Sequence, residues 1–175
     1  PYSTALHCLF KNKPYLVGPL ARVNNCFGHL PIPIHLLLQD LKINFPSYNM
    51  YHSIIARAVE IYFCILESIR ILEHYKIPEE SHPEIKPRAG IGFGCTEAPR
   101  GTLWQHIQLG AQGQVKMARI VPPTSQNQAR IEEDLRISLN QFGLDKEEDS
   151  LRAYSEMLIR NYDPCISCST HFLKL

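Results

Sequence analysis

The stretch from about Ser47 to Lys76 constrains the fold more than any other part of this chain. Ile54, Ala58, Ile61, Ile65, Ile69 and Leu72 recur at helical spacing, and Ile55, Val59, Tyr62 and Leu66 widen that face. The spacing predicts one long helix, N-capped by Ser47 after Pro46 and stopped by Pro78. Glu67 and Arg70 fall one turn apart on its polar side. A long helix with one apolar face needs other helices to cover it, and part of that cover is expected outside this chain.

Shorter elements are expected on either side. Residues 1–46 mix short helical pieces with turns; Pro14 and Pro19 suit helix starts, whereas Pro31 and Pro33 break the chain ahead of Ile34–Leu41. Residues 77–89, with Pro78, Pro83 and Pro87 among charges, read as a surface linker. Gly90, Gly92 and Gly94 suggest a flexible or tightly packed backbone rather than a phosphate loop. No apolar strand precedes them, and Pro99 follows where a nucleotide-binding helix should be running. Residues 102–109 and 114–121 are expected to pair through Ala111-Gln112-Gly113, with Pro122 and Pro123 stopping the second strand. Helices are expected over about 126–141 and 147–160, the first carrying Ile131, Leu135 and Leu139 on one face and ending at Gly143. A last helix starts at Pro164 with Asp163 as N-cap. The expected class is mainly α with one β-hairpin.

Composition excludes several functions. With 18 basic and 17 acidic side chains in 175 residues, the chain lacks the electrostatic footprint of a nucleic-acid or anionic-lipid binder. It has no apolar run long enough for a membrane span. A chain of this length can bury roughly 70% of its unfolded surface, so a core is possible. Of six cysteines only Cys165 and Cys168 are clustered. With no secretory signal, reduced thiols and a cytoplasmic setting are expected. The first residue is Pro1, and the chain is read as a portion of a longer one.

The chemistry concentrates near the C-terminus, in Asp163-Pro164-Cys165-Ile166-Ser167-Cys168-Ser169-Thr170-His171. Sulfurs three residues apart on a helix share a face, and thiolates suit nickel, iron–sulfur clusters and zinc. A lone Cys-x-x-Cys is equally compatible with half a zinc site or a redox dithiol, although a second pair and a βαβ context are both missing. His171, taken alone, reads as a capping or surface residue. In Glu97-Ala98-Pro99-Arg100-Gly101, Pro99 stiffens the backbone before Arg100, which aims a five-donor guanidinium; a structural salt bridge to Glu97 is the alternative. Val121-Pro122-Pro123-Thr124-Ser125-Gln126-Asn127-Gln128 offers hydroxyls and amides on a stiff turn, or a loop with a helix N-cap at Thr124 or Ser125. Cys64 and Cys95 read as packing residues.

These segments resemble the large, catalytic subunit of nickel–iron hydrogenases. Tyr15-Leu16-Val17-Gly18-Pro19-Leu20-Ala21-Arg22, His52–Glu60 and Gln126–Leu135 are similar as well, so the resemblance runs over nearly the whole chain in family order. The wording is nearest the soluble NAD(P)-linked or sulfhydrogenase-type branch. The resemblance implies the C-terminal portion of the large-subunit fold over residues 1–175, with the N-terminal half absent. It implies reversible heterolytic cleavage of dihydrogen at a nickel–iron centre whose iron carries carbon monoxide and cyanide. Cys165 would be a terminal nickel ligand and Cys168 a bridging one. Arg100 would lie over the metal pair, held by Asp163, and Pro123, Thr124 or Ser125 would line the diatomic ligands. His171 would hold a magnesium or iron ion. Cys165 is the first choice of base and Arg100 the alternative, at a higher cost of deprotonation. Implied partners are the iron–sulfur small subunit, NAD(P) reductase subunits and a maturation endopeptidase that cuts after His171.

Two departures stand out. The family draws its other thiolates from an N-terminal Arg-x-Cys-Gly-x-Cys motif that this sequence lacks. Gln105 stands where a His is expected after the Arg100 segment, with His106 one place on. A truncated or non-catalytic relative that keeps the fold and subunit contacts without nickel is therefore the second reading, and an unrelated zinc-binding domain the third.

Overall fold

A computed structural model describes residues 7–84 and 86–165 of the chain. The order is α1 (Pro19–Cys26), α2 (Ile32–Asp40), α3 (Ser53–Glu73), β1 (Gly90–Ala98), β2 (Gly101–Leu109), β3 (Val115–Val121), α4 (Pro123–Phe142) and α5 (Glu148–Arg160). Short 3₁₀ turns precede α2 and α3, at Phe27–His29 and Met50–His52. The helix expected from Pro164 lies almost wholly outside the described residues, and Asp163 at φ 48° is not in the extended backbone of an N-cap.

The prolines act differently from the sequence expectation. Pro19 does open α1, but Pro14 starts no helix, and Pro33 sits inside the first turn of α2, where its missing N–H costs no helical bond. The long helix begins at Ser53 rather than Ser47. Ser47 is buried instead, its backbone N–H and C=O bracketed by the Asn24 amide at 2.8 and 2.7 Å and its hydroxyl 2.9 Å from His52 Nδ1. Asn49 caps the 3₁₀ turn by accepting from the Tyr51 N–H. At the other end the His74 ring donates to the Arg70 carbonyl at 2.8 Å, so α3 stops at Glu73, short of Pro78.

The core sits where α1 and α2 cross α3. Leu20, Val23, Ile34, Leu38, Phe45, Ala56 and Val59 are buried together, flanked by Ile55, Tyr62, Phe63 and Leu66. Ile55, Val59, Tyr62 and Leu66, expected only to widen the apolar face, are thus on the covered side, and the central row of that face is not. Ile54, Ile61, Ile65, Ile69 and Leu72 are between 50% and 73% exposed. A helix apolar all round is suited to burial on every side, and this chain covers only one.

The sheet holds one strand more than expected, in the antiparallel order β1-β2-β3. The expected hairpin is present as β2–β3, closed by Gly110–Gln114. The extra strand, β1, contains the glycine-rich segment. Gly90, Gly92 and Gly94 share one face, while Ile91, Phe93 and Cys95 alternate to the other, opposite Gln108, His106 and Trp104. A Cβ at any of these three glycines would meet nothing within 4 Å, so they mark no tight packing. Glycine's weak strand propensity hid a period-two pattern. The helices α4 and α5 pack through stacked Phe142 and Tyr154 rings 4.3 Å apart, with Leu158 and Tyr162 buried beyond them.

Ile34→Ala, at a fully buried position, should lower stability by about 2–5 kcal/mol. Ile65→Ala should stay within about 0.5 kcal/mol of the parent. Urea unfolding of the 175-residue chain checks both, and a large loss at Ile65 would show that its face is covered in solution.

Candidate active site

Four distant segments meet around Arg100. The first is the β1–β2 turn, in which Ala98 pairs with Gly101 and Pro99-Arg100 form the loop. Two-residue hairpins favour turns with positive φ at the first loop position, which proline cannot adopt. Gly101, at φ 135°, takes up the reversal. The second segment is the start of α1. A Cβ on Gly18, at φ 111°, would lie 2.7 Å from the Arg100 carbonyl oxygen, and one on Gly101 would lie 2.5 Å from Val17. Two glycines thus let two backbones touch.

The third segment is the first turn of α4. Pro122 and Pro123 do end the strand, but the helix starts at Pro123 itself, so Thr124 and Ser125 lie in its first turn rather than at its cap. Thr124, Ser125, Gln126 and Asn127 are all buried. Buried polar groups need partners. The Asn127 amide brackets Val17, accepting from its N–H at 2.8 Å and donating to its C=O at 3.1 Å. Gln126 donates to the Thr102 carbonyl at 2.5 Å and accepts from the Tyr15 hydroxyl at 3.2 Å. Thr124 Oγ1 accepts from the Cys165 N–H at 3.2 Å.

The fourth segment follows α5. Arg100 Nε donates to the Asp163 main-chain oxygen at 2.8 Å and lies 3.3 Å from its carboxylate. Arg57 of α3 approaches the same carboxylate at 3.7 Å. Asp163 is held in turn by its neighbour. The buried Tyr162 hydroxyl donates to Asp134 of α4, which also pairs with Arg130, while Arg130 reaches Glu133 at 2.8 Å. Burial, then the Asp134 carboxylate, push the Tyr162 hydroxyl well above the ordinary tyrosine range.

Of the residues singled out in sequence, Arg100, Asp163, Thr124 and Cys165 are therefore brought together, with Pro123 and Ser125 beside them on α4. Cys168 and His171 lie outside the described residues. The salt bridge from Arg100 to Glu97 does not form; Glu97 pairs with Arg22 at 2.7 Å and accepts from the Thr102 hydroxyl at 2.7 Å. Cys64 and Cys95 are exposed, not packed. Gln105 and His106 point to opposite faces of β2, and His106 stacks on Phe93 at 4.3 Å, so a shift of one place does not restore the expected His. Sequence reasoning missed Arg22, Glu60 and Asn127. The available signal was charge in an apolar setting: Arg57 and Glu60 are the only charged residues between Ser53 and Leu66, and both are used here.

Comparison with known proteins shows the family. The family model for nickel-dependent hydrogenases matches residues 2–171, and the chain belongs to that family. It is 34% identical to sulfhydrogenase 1 subunit alpha of Pyrococcus furiosus over 99% of its own length and 41% of the relative's. It is 33% identical to the NAD-reducing hydrogenase HoxS subunit beta of Cupriavidus necator, over 90% of this chain and 34% of that one. Among solved structures, an NAD+-reducing [NiFe]-hydrogenase in the H2-reduced state superimposes with a TM-score of 0.69 at 26% identity, over 91% of this chain and 36% of that one. The [NiFeSe]-hydrogenase of Dm. baculatum gives 0.71 at 25%, over 93% and 36%. The chain thus spans about two-fifths of its first curated relative's length, and an unrelated zinc domain is set aside.

Gly18→Ala should destabilise the protein by about 1–3 kcal/mol from backbone strain alone, before the clash with Arg100 is counted. Thermal unfolding tests this. Unfolded tyrosine ionises near 10 and Tyr162 only at higher pH when folded, so its contribution is intact below about pH 10 and is lost above it. Tyr162→Phe should flatten that alkaline fall while costing about 1.5–3 kcal/mol at neutral pH. Urea midpoints measured across pH decide it.

Proposed function

We propose that this chain is the C-terminal portion of a nickel–iron hydrogenase catalytic subunit, one part of a single domain whose other part lies in polypeptide beyond these residues. The observation that carries the reading is the meeting of Arg100, Asp163 and the Thr124–Cys165 contact at one place, from segments far apart in sequence. Among the described residues Cys165 is the one soft donor at this place; its sulfur is in a disulfide here, so it would act as a metal-holding thiolate once reduced. Cys165 and Cys168 would hold the nickel–iron pair, with carbon monoxide and cyanide on the iron. When bound, that pair would supply the site at which dihydrogen is split heterolytically.

The residues of this chain would do the rest. Cys165 takes the proton, and Arg100 keeps a positive charge over the centre while Asp163 fixes its direction. Thr124 or Ser125, at the N-terminus of a twenty-residue helix, offers a hydroxyl where the helix dipole also favours a negative ligand such as cyanide; Pro123 lines the same pocket. His171 would hold a magnesium or iron ion. Electrons would leave through a small subunit with iron–sulfur clusters, and NAD(P) reductase subunits and a maturation endopeptidase are the further partners. A cytoplasmic setting goes with this reading. Among the described residues no helix is long and apolar enough to cross a membrane.

The second reading is a relative that keeps the fold and subunit contacts without nickel. Metal analysis of the assembled protein separates the two: nickel together with iron is expected. Cys165→Ser should abolish hydrogen-dependent dye reduction without loss of folding. Retained activity would sink the site assignment.

A further inference from the structure

We propose that Arg22 is the positioning residue that aims Arg100. Arg22 lies on α1, one turn after Gly18, and its N–H donates to the Gly18 carbonyl at 2.9 Å. A guanidinium has five N–H donors, and here every one is engaged. Nε and Nη2 grip the two oxygens of Glu60 on α3 at 2.6 and 2.7 Å. Nη1 donates to Glu97 Oε2 at 2.7 Å and to the Ala98 carbonyl at 2.9 Å. The remaining Nη2 hydrogen goes to the Pro99 carbonyl at 2.9 Å. The three acceptors on the turn are the three residues that lead into Arg100.

The geometry gives this arrangement a particular consequence. A peptide unit is planar, so holding the Pro99 carbonyl fixes the plane that ends at the Arg100 nitrogen. The plane on the other side of Arg100 is fixed by Gly18, against which the Arg100 carbonyl is packed. Both planes flanking Arg100 are therefore set by α1, four residues apart. The side chain that emerges between them finds Asp163 at 2.8 Å. Arg22 is only 22% exposed, with Glu60 on its far side and three turn acceptors holding the near one. Lysine at this position would keep the charge but brings three donors where Arg22 makes five bonds, so it could not hold Glu60 and the turn at once.

The alternative is that Arg22 only stitches α1 to α3. The consequence for catalysis rests on the hydrogenase reading; the positioning itself does not. The test uses the assembled protein with ¹⁵N-labelled arginine, in Arg22→Lys, Glu60→Gln and Arg100→Lys forms. The first readout is solvent exchange of the Arg100 Nε–H that Asp163 accepts. Arg22→Lys should speed that exchange by roughly tenfold or more, the loss expected when a single positioning contact is released. Glu60→Gln, which loosens the α1–α3 stitch but leaves the turn-facing donors, should change it far less. Glu97→Gln probes the same arm if Arg22→Lys does not fold, and should speed exchange in the same direction.

The second readout is hydrogen uptake. Arg22→Lys should lower kcat by roughly tenfold or more at unchanged nickel content, and should add less than about twofold in an Arg100→Lys background, because both changes remove one function. Unaltered exchange at Arg100, or losses that multiply in the double variant, overturns the proposal. A parent protein without nickel or activity would instead count against the hydrogenase reading, and the exchange measurement would still decide the role of Arg22.

Discussion

Two stretches of main chain lie against each other near the middle of this molecule: Val17-Gly18 at the head of α1, and Arg100-Gly101 at the tip of the β1–β2 turn. Neither Gly18 nor Gly101 has room for a side chain there. The buried Asn127 amide closes the arrangement by pairing with both polar groups of Val17. Because that contact joins α1, the sheet and α4, the rest of the structure is organised around it. The helical core beneath α1 and the hairpin above it would otherwise be two separate pieces, each too small to place a side chain with accuracy. Arg100 gains its fixed direction because its own backbone is part of the contact.

The same molecule leaves much apolar surface uncovered: the isoleucine stripe of α3 and the outer sheet residues Ile91, Phe93 and Ile120 are exposed. Apolar patches of this extent belong against other protein. They are consistent with relatives more than twice as long as this chain. The burial of the site is correspondingly one-sided. Thr124 through Asn127 are enclosed, while Arg100 and Asp163 remain close to half exposed.

Much of this was legible before any coordinates. The helical period of residues 53–73, the Gly143 stop of α4, the Glu148–Arg160 helix and the β2–β3 hairpin follow from spacing and turn chemistry that act within a few residues. The family resemblance, not spacing, points to Arg100, Asp163, Thr124 and Cys165, which the fold brings to one place. The third strand was not legible, since alternate glycines mask the period of two. The buried face of α3 was legible only in part: Ile55, Val59, Tyr62 and Leu66 belong to it, whereas Ile54, Ile61 and Ile65 do not. Both sides of that helix are apolar, and periodicity reports only that a face exists, not which neighbour claims it.

What the sequence determined by itself was therefore chemistry and local conformation: which groups are available, where helices start and stop, and which family the chain resembles. Tertiary structure decided adjacency. It alone put Arg22 of α1 beneath the turn of Arg100 and Tyr162 against Asp134, and it alone turned Asn127 from an ordinary helix residue into a clamp on Val17. The physical reason is range. Propensity, capping and turn preferences act over one or two turns of chain, whereas a buried polar group must find its partner wherever the folded chain brings one, and for these residues that partner lies from 28 to 110 positions away.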